Sequence, residues 1–418
     1  MKPMKKITMW FTVALTLIFM AGMSVCAESK VLTAPTGIYQ DGASGTAVRI
    51  KITGEYGYLN YDVQISTDGT NWSDVSATLT AQNQAQIDNL ETGRTYYVRV
   101  RSHIQNTDQV SDYTQPFKVV TKPGYPGISA KQTGKAVSSS AQLTWGAAPG
   151  ARGYQIWYST SLFTEQKLAG TTTTTSYTLK GLKKDTSYFV TVVPYTIANE
   201  GTANQVNVVG LYQPLTSGND CYVTTLPAKV TGLQTYQWKP NTKKLIVAWK
   251  EGNVADGYEL IFYNNKGKKV KTATVPYTKS TYNFYTCSKV TKNSYAKVKI
   301  RAYVMVNGKK YYSGYTTPIY CVSEPKMNSK GYHQNGKLSF SWKAVSGATG
   351  YDVYISTSTT ASSFKKVASL GKDKTSYSTS TFKGAQISKS RTYYLYVVAK
   401  KKVGSKTYKS APSTIYHF

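Results

Sequence analysis

The chain is poor in the residues that most catalytic and metal sites use. Its 418 residues include three histidines, four cysteines and 20 acidic residues, against 51 lysines and arginines. The histidines, His103, His333 and His417, are far apart in the sequence, and the sequence contains no Gly-rich phosphate loop or metal-ligand motif. A hydrolytic triad or a paired-carboxylate site needs such groups in one cleft. The composition therefore predicts a protein that is not an enzyme and that binds no metal or cofactor.

Long apolar runs are also scarce. One such run, residues 10–21, follows three lysines and precedes Val25 and Ala27, which suit a small-residue cleavage site. This pattern predicts a secretory signal peptide over residues 1–27. An uncleaved anchor and a lipidated Cys26 are the alternatives, although the run is shorter than the ~20 residues that span a bilayer. We expect a secreted, extracellular chain, non-covalently cell-surface-associated if it is retained, with no transmembrane segment after signal removal.

Helical periodicity is absent from every long stretch of the sequence. Segments such as YELIFY and YDVYIS alternate apolar and other residues in the manner of half-buried strands. The dipeptides Asp68-Gly69, Asn307-Gly308 and Asn335-Gly336 have the chemistry of tight hairpin turns. The sequence therefore predicts an all-β protein.

A pair of large residues nine positions apart recurs four times. The pairs are Ile52 and Tyr61, Trp145 and Tyr154, Trp249 and Tyr258, and Trp342 and Tyr351. Their first members are 93, 104 and 93 residues apart, which is the size of a small β domain and too long for a solenoid repeat. The recurrence predicts four copies of one fold.

A second marker follows each pair: an apolar residue, and six positions later a tyrosine that opens an alternating run. This marker is present as Leu90 and Tyr96, Leu182 and Tyr188, and Ile387 and Tyr393. The third copy departs from it, because Val290 is followed by Ala296, with the nearest tyrosine one place early at Tyr295.

Together the two markers resemble the fibronectin type III module of secreted or cell-surface bacterial proteins, over roughly residues 32–418. The resemblance implies four tandem immunoglobulin-like (fibronectin type III) β-sandwiches in an elongated array. Another immunoglobulin-like sandwich is the alternative. The predicted modules, here called the first to fourth units, are residues 28–122, 123–228, 229–325 and 326–418.

The resemblance also implies which aromatic residues are structural core. These are Trp145, Tyr154, Tyr188, Trp249, Tyr258, Trp342, Tyr351 and Tyr393. In the first unit Ile52 takes the place of the tryptophan, and we expect Trp72 to help fill the core. We expect the third unit, which lacks the corner tyrosine, to have a looser corner.

Three cysteines remain after signal removal, so at least one thiol is unpaired or linked to another chain. A type III topology would place Cys287 and Cys321 toward the same pole, which makes them a possible disulfide. The alternative is that Cys221, Cys287 and Cys321 are buried thiols that pack as small apolar residues.

Positive charge is concentrated in the second half of the chain. Residues 28–122 hold 8 basic and 10 acidic residues (net −2), and residues 123–228 hold 7 and 4 (net +3). Residues 229–325 hold 17 and 4 (net +13), and residues 326–418 hold 16 and 2 (net +14). Such a step in charge favours an anionic polymer as partner.

Two lysine-rich hairpins interleaved with tyrosines are the candidate polyanion-binding residues. They are Lys309, Lys310, Tyr311 and Tyr312 in the third unit, and Lys400, Lys401, Lys402, Lys406, Tyr408 and Lys409 in the fourth. Lysine supplies point charges and the rings supply flat surfaces. The alternative is that these lysines are solvated and protect strand edges from aggregation.

Three further expectations concern single features. Trp238 is a candidate surface aromatic, and Asp352 is expected to face solvent. The long connection at residues 197–218 carries apolar residues that could contact a partner or pack on their own unit.

The leading hypothesis is a non-enzymatic binding or scaffold protein whose basic units dock to an anionic cell-wall glycopolymer or acidic polysaccharide. The first two units could take a protein partner, and no motif reads nucleic-acid sequence. The alternatives are a structural spacer rod without its own ligand, and a carbohydrate-binding accessory protein to a separate hydrolase.

Overall fold

The computed structural model describes residues 31–54, 59–81, 83–126, 131–161, 165–211, 221–328 and 332–418. Within these residues the regular structure is 35 β-strands and one short 3-10 helix, which confirms the all-β prediction. The predicted signal peptide and Cys26 lie outside them. Across the described ranges, no helix is long and apolar enough to cross a membrane.

The first unit is a sandwich of two antiparallel sheets. Its strands are β1 (Gly37–Ala43), β2 (Val48–Thr53), β3 (Leu59–Ser66), β4 (Ser73–Val75), β5 (Ala77–Ala81), β6 (Gln84–Ile87), β7 (Thr95–Ile104) and β8 (Phe117–Val120). The sheet orders are β1-β2-β6-β5 and β4-β3-β7-β8. Ile50 and Ile52 of one sheet and Val98 and Val100 of the other share one core. Both pairs are buried because alternate residues of a strand face the same side.

The second unit repeats this arrangement. Its strands are β9 (Lys131–Thr133), β10 (Ser140–Thr144), β11 (Gly153–Ser159), β12 (Lys167–Thr172), β13 (Ser176–Lys180), β14 (Ser187–Ala198), β15 (Val206–Val209) and β16 (Cys221–Thr224). One sheet has the order β13-β10-β9, and the other has the order β12-β11-β14-β15 with β16 on the free part of β14. The core contains Leu143 from the first sheet and Ile156 and Val190 from the second.

The third unit has the same two-sheet order. Its strands are β17 (Gln234–Gln237), β18 (Leu245–Lys250), β19 (Gly257–Tyr263), β20 (Lys269–Pro276), β21 (Tyr282–Cys287), β22 (Tyr295–Val306), β23 (Lys309–Tyr312) and β24 (Ile319–Val322). They form the sheets β17-β18-β21 and β20-β19-β22-β23, with β24 paired to β22. Trp249 of the first sheet and Leu260 and Ile300 of the second lie in one core.

The fourth unit adds a small third sheet. Its strands are β25 (Lys326–Met327), β26 (Tyr332–Gln334), β27 (Lys337–Lys343), β28 (Gly350–Ser356), β29 (Lys365–Gly371), β30 (Ser376–Thr379), β31 (Thr381–Phe382), β32 (Ala385–Gln386), β33 (Tyr394–Val403), β34 (Lys406–Lys409) and β35 (Tyr416–His417), with a 3-10 turn at Ala361–Ser363. The main sheets are β25-β27-β26 with β30 on β27, and β29-β28-β33-β34 with β35 on β33. Strands β31 and β32 pair with each other. The described residues therefore form β-sandwiches in tandem, and the predicted unit boundaries stay a prediction.

The recurring tryptophan and tyrosine pairs lie in the cores. In the second, third and fourth units the two ring centroids are 5.4, 5.3 and 5.4 Å apart, close to edge-on. The hydroxyls of Tyr154, Tyr258 and Tyr351 each accept a 2.9 Å hydrogen bond from a backbone N–H six residues earlier. A buried tyrosine needs such a partner for its hydroxyl, and this bond fixes the turn between the two sheets.

The second marker closes a corner in three of the units. The Tyr96 hydroxyl accepts from the Glu91 N–H at 2.9 Å, and the Tyr188 hydroxyl accepts from the Lys183 N–H at 2.7 Å. The Tyr393 hydroxyl makes the corresponding bond to Ser388 N–H at 3.2 Å. In the third unit Val290 and Ala296 are buried at this place without a hydroxyl. The looser corner expected there stays a prediction.

Two of the tryptophan expectations are wrong. Trp72 lies outside the core cluster of the first unit. The Arg99 guanidinium packs over its ring, 4.4 Å from the Trp72 ring centroid. Trp238 is 1% exposed rather than a surface aromatic, and its indole N–H donates to the Thr242 carbonyl at 3.3 Å. Its apolar ring completes the core of the third unit, next to Leu245 and Trp249.

The three cysteines are free thiols, and all three are buried. The possible disulfide between Cys287 and Cys321 is therefore not formed in the structure. Both side chains pack in the core of the third unit as small apolar groups. Burial raises the pKa of Cys321 to about 12, so that thiol stays protonated and unreactive at neutral pH.

The hairpin β14–β15 of the second unit packs on the first unit. The backbone N–H and carbonyl of Gln40 bond to the Asn199 side chain at 2.8 Å each. An apolar cluster at this joint contains Ala43, Val120, Ala198 and Val208. Val208 of the predicted long loop therefore packs at the joint with the neighbouring unit, whereas Val209 is 38% exposed. Residues 212–218 of that loop lie outside the described residues.

Candidate polyanion-binding surface

The lysine hairpin of the third unit, β22–β23, packs against the second unit. Lys309 and Lys310 are exposed, as predicted. Tyr311 is half-buried, and its hydroxyl donates to the Gly134 carbonyl at 3.3 Å. It also packs on a joint cluster formed by Ala136, Val304 and Val306. Tyr311 is therefore committed to the joint between units, and its ring is not an open surface for a ligand.

The Tyr312 ring is also covered by neighbouring side chains. The Arg301 guanidinium lies over its ring at 3.6 Å from the centroid, and the Tyr303 ring contacts it at 5.8 Å. Of the four residues predicted at this hairpin, the two lysines remain accessible and the two tyrosines are held within the fold.

The lysine hairpin of the fourth unit, β33–β34, packs on the third unit in the same way. The Tyr408 ring lies 5.3 Å from Tyr320, and its hydroxyl donates to the Pro318 carbonyl at 3.3 Å. The Lys401 ammonium lies 4.2 Å from the Tyr295 ring centroid and donates to the Gly347 carbonyl at 3.0 Å. Each of the three joints therefore uses the hairpin that follows the long strand of the later unit.

The expectation that Asp352 faces solvent is wrong, because it is 2% exposed. Its carboxylate lies 2.5 Å from the Lys400 ammonium and 3.5 Å from that of Lys409, and the Ser369 hydroxyl donates to it at 2.6 Å. Burial alone would raise the pKa of Asp352, but the hydrogen bonds from Lys400 and Ser369 outweigh it and hold that pKa below its usual value. Asp352 does point away from the core, but long lysine stems cover it.

This buried ion pair changes the predicted site. Lys400 and Lys409 share the single negative charge of Asp352, so one of their two positive charges is compensated inside the unit. Lys402 and Lys406 are exposed, and no salt bridge to either is present among the described residues. The predicted hairpins together leave five exposed lysines, Lys309, Lys310, Lys402, Lys406 and Lys409, of which Lys409 also lies 3.5 Å from the Asp352 carboxylate.

A second basic surface, which the sequence analysis missed, lies on the outer face of the sheet β20-β19-β22-β24. Strand β22 buries Val298 and Ile300 and turns Lys297, Lys299 and Arg301 to the other side. The signal was present in the sequence as the alternation KVKIR, which places three cations on one face of one strand.

Tyrosines accompany these cations. The Lys297 ammonium lies 4.5 Å from the Tyr263 ring centroid, and the Lys299 ammonium lies 3.9 Å from that of Tyr315. Tyr320 is the strand partner of Lys297, and Lys269 is the strand partner of Tyr263. We call this surface the lysine–tyrosine face. Its members are Tyr263, Lys269, Lys297, Lys299, Tyr315 and Tyr320.

One carboxylate, that of Glu259, lies beside this face. It accepts a 2.8 Å bond from Arg301 and a 2.5 Å bond from the Tyr315 hydroxyl. Burial and this bond raise the pKa of Tyr315 to about 12, so its hydroxyl stays protonated. Glu259 is therefore used by Arg301 and Tyr315, and the charges of Lys297 and Lys299 remain uncompensated.

Residues 129–209 match the family model described as the Fibronectin type III domain. The chain resembles tandem fibronectin type III proteins. The matched segment holds strands β9 to β15, including the Trp145 and Tyr154 pair.

Solved structures with fibronectin type III domains were also found. The FN1–FN3 domains of chicken CNTN1 are 15% identical, over 69% of this chain and 98% of that one, with a TM-score of 0.27. A two-domain fibronectin type III segment of chicken tenascin is 14% identical, over 43% of this chain and 99% of that one, with a TM-score of 0.22.

Proposed function

We propose that the chain is a secreted, non-enzymatic scaffold that docks through its third and fourth units to an anionic cell-wall glycopolymer or acidic polysaccharide. The near-neutral first and second units would then be displayed outward, where a protein partner could bind them. The observation that carries this proposal is the step in net charge from −2 and +3 to +13 and +14 along the four units.

The pairing of charges supports the proposal. In the described part of residues 229–418, four basic side chains lie within salt-bridge distance of a carboxylate: Lys239, Arg301, Lys400 and Lys409. The same segment holds 33 basic residues, so most of its positive charge has no carboxylate partner among the residues that the structure describes. Uncompensated charge of one sign on neighbouring units attracts a polymer of the opposite sign.

The joints favour a second function, that of a spacer. Each hairpin contact described above ties a unit to its predecessor through buried apolar groups and hydrogen bonds, which limits bending between them. A stiff array would hold the outer units away from the anchored ones. This function is compatible with docking, because the anchored and displayed parts are different units.

Binding by the intact secreted chain, residues 28–418, tests the proposal. The intact chain is used because separate fragments ending and beginning at residue 228 would expose the joint cluster of Ala136, Val304 and Val306 to solvent. We expect binding to polygalacturonate or teichoic acid that weakens more than tenfold between about 50 and 200 mM salt, because charge pairing releases counterions. Affinity would be measured by titration at each salt concentration.

Neutral dextran is the control polymer, and we expect it not to bind. Absence of binding to either polyanion at about 50 mM salt would contradict the docking proposal and leave the spacer function. Salt-insensitive binding to dextran would instead favour a carbohydrate-directed accessory role.

A further inference from the structure

We propose that the lysine–tyrosine face of the third unit is the binding site for an acidic polysaccharide, a chain of sugar rings that bear carboxylates. This inference rests on the docking function proposed above and names the surface that performs it. It also moves the main contact away from the lysine hairpins that the sequence predicts.

The register of the sheet places the members of this face in a row. Tyr263 lies opposite Lys269 on one side and Lys297 on the other, and Lys297 lies opposite Tyr320. The row crosses four neighbouring strands, and at ~4.8 Å per strand interval it is about 14 Å long. It therefore has the dimensions of a track for an extended polymer chain.

The row continues into the fourth unit through the joint. The Tyr320 ring contacts the Tyr408 ring at 5.3 Å, and the Lys406 ammonium lies 5.1 Å from the Tyr408 ring centroid. Because the hairpin β33–β34 is fixed on the third unit, an accessible lysine of the fourth unit extends the same surface. A polymer lying along the row would contact both basic units.

The rings hold the lysines in place without neutralising them. The ammonium groups of Lys297 and Lys299 stack on Tyr263 and Tyr315, and each keeps N–H donors for an anion. Side chains that are already ordered lose less conformational entropy when a ligand binds. The two lysines are two residues apart on β22, so their anchor points are about 7 Å apart along the strand.

The first unit has a similar stack of cations on aromatic rings, but acidic residues lie beside it. There the Arg99 guanidinium lies between Trp72 and Tyr113, 4.4 and 4.5 Å from their centroids. The next cation, Arg101, pairs with Asp62 at 2.9 Å. The strand position of Arg101 and Asp62 corresponds to that of Arg301 and Glu259 in the third unit.

The two stacks differ in the residues that lie opposite Arg99 and Lys299 on the neighbouring strand. Arg99 bonds to Gln64, which in turn donates to the Asp74 carboxylate, so a second acid lies beside the first unit's stack. The corresponding partner of Lys299 is the apolar Ile261. The same architecture is therefore charge-balanced in the first unit and left positive in the third, as a ligand site requires.

The tyrosines favour sugars over a ring-free polyanion. In the described residues, no protein group bonds to the hydroxyls of Tyr263 and Tyr320, which lie on either side of Lys297. Each hydroxyl can both donate to and accept from a sugar hydroxyl, while the ammonium between them binds a carboxylate. A polyphosphate chain could accept from both tyrosine hydroxyls, but it has no hydroxyl to donate to them.

The test compares two double substitutions in the intact chain, residues 28–418, titrated with polygalacturonate. Lys297→Gln with Lys299→Gln should weaken binding about tenfold, since each lysine beside an anionic surface adds roughly a few-fold in affinity. Lys243→Gln with Lys244→Gln is the control. It removes the same charge from exposed positions just before β18 in the same unit, and it should change affinity less than about threefold.

Lys297→Arg with Lys299→Arg keeps charge and stacking and should bind like the wild type. The glutamine variant should keep the wild-type circular dichroism spectrum and thermal unfolding, which excludes misfolding as the cause of its weaker binding. If wild type binds in a salt-dependent manner but both glutamine variants weaken it equally, the face is the wrong site and the docking function stands. If wild type binds neither polygalacturonate nor teichoic acid, the docking function fails as well, whereas binding to teichoic acid alone would overturn only the acidic polysaccharide as ligand. Equal wild-type affinity for polyphosphate would overturn the assignment of a sugar polymer.

Discussion

Replacing Trp342 with alanine is expected to destabilise the fourth unit by about 3 to 5 kcal/mol. Trp342 is 2% exposed and packs edge-on against Tyr351 at 5.4 Å, between the two sheets. Its removal would leave a large cavity that the surrounding strands cannot close without strain. Native-state hydrogen exchange of the amides in β33 measures this loss locally, which avoids a global unfolding analysis of a multi-unit chain.

Trp157→Ala is the matched control for this substitution. Trp157 is half-exposed on β11, and its indole N–H donates to the Gln155 side chain at 3.2 Å. Hydrogen exchange of the amides in β14, the strand paired with β11, should show a loss of about 1 kcal/mol, because less apolar surface is removed from a packed environment. Equal losses at Trp157 and Trp342 would contradict the assignment of the recurring tryptophans to the core.

Replacing Asp352 with asparagine is expected to destabilise the fourth unit by about 3 kcal/mol, the lower end of the range for breaking a buried ion pair. Asparagine keeps the size but leaves the Lys400 ammonium, 19% exposed, without its counter-charge. The pKa of Asp352 is lowered in the folded state. The stabilisation it provides is therefore present above the unfolded-state pKa near 3.8 and is lost as the pH falls through the lowered value.

Asp373→Asn is the control, since it makes the same charge change at an exposed position of the same unit. We expect it to change the free energy of unfolding by less than about 0.5 kcal/mol. Hydrogen exchange of the β33 amides at neutral pH compares the two variants. If Asp352→Asn behaved like Asp373→Asn, the ion pair with Lys400 would contribute nothing to stability.

The fold was predictable because its signals are local. A strand alternates with a period of two, so a tryptophan on one strand and a tyrosine nine residues later on the next fall in the same core. The contact between Trp249 and Tyr258 joins adjacent strands of one unit, and its spacing is visible in the sequence. The same reasoning failed for Trp238, because the period alone does not say which short edge strand is covered.

The joints could not be predicted, because they depend on residues far apart in the chain. Gln40 bonds to Asn199, which is 159 positions later, and Tyr311 bonds to Gly134, 177 positions earlier. Nothing in either local sequence indicates the partner. For this reason the tyrosines of the lysine hairpins resembled an open binding surface, although Tyr311 and Tyr408 connect units and Tyr312 packs within its own unit.

The net charge of each unit was predictable from the sequence, but the pairing of individual lysines with acidic residues was not. Counting residues locates the positive units, but whether a lysine is free depends on the acids of neighbouring strands. Asp352 and Lys400 are 48 positions apart, and their contact removes Lys400, 19% exposed, from the candidate site. Lys297 and Lys299 lie within a strand and alternate with buried residues, so they do not form the continuous run of charge that marks the lysine hairpins in the sequence.

Lysine footprinting of the intact chain tests the central claim most directly. Acetylation of the lysines of residues 28–418 would be measured by mass spectrometry at low salt, with and without polygalacturonate. We predict protection in residues 229–418, strongest at Lys297 and Lys299, and unchanged reactivity of lysines in the first two units, such as Lys131 and Lys167. Equal protection of both halves, or protection confined to residues 28–228, would contradict the claim that the basic units carry the binding surface.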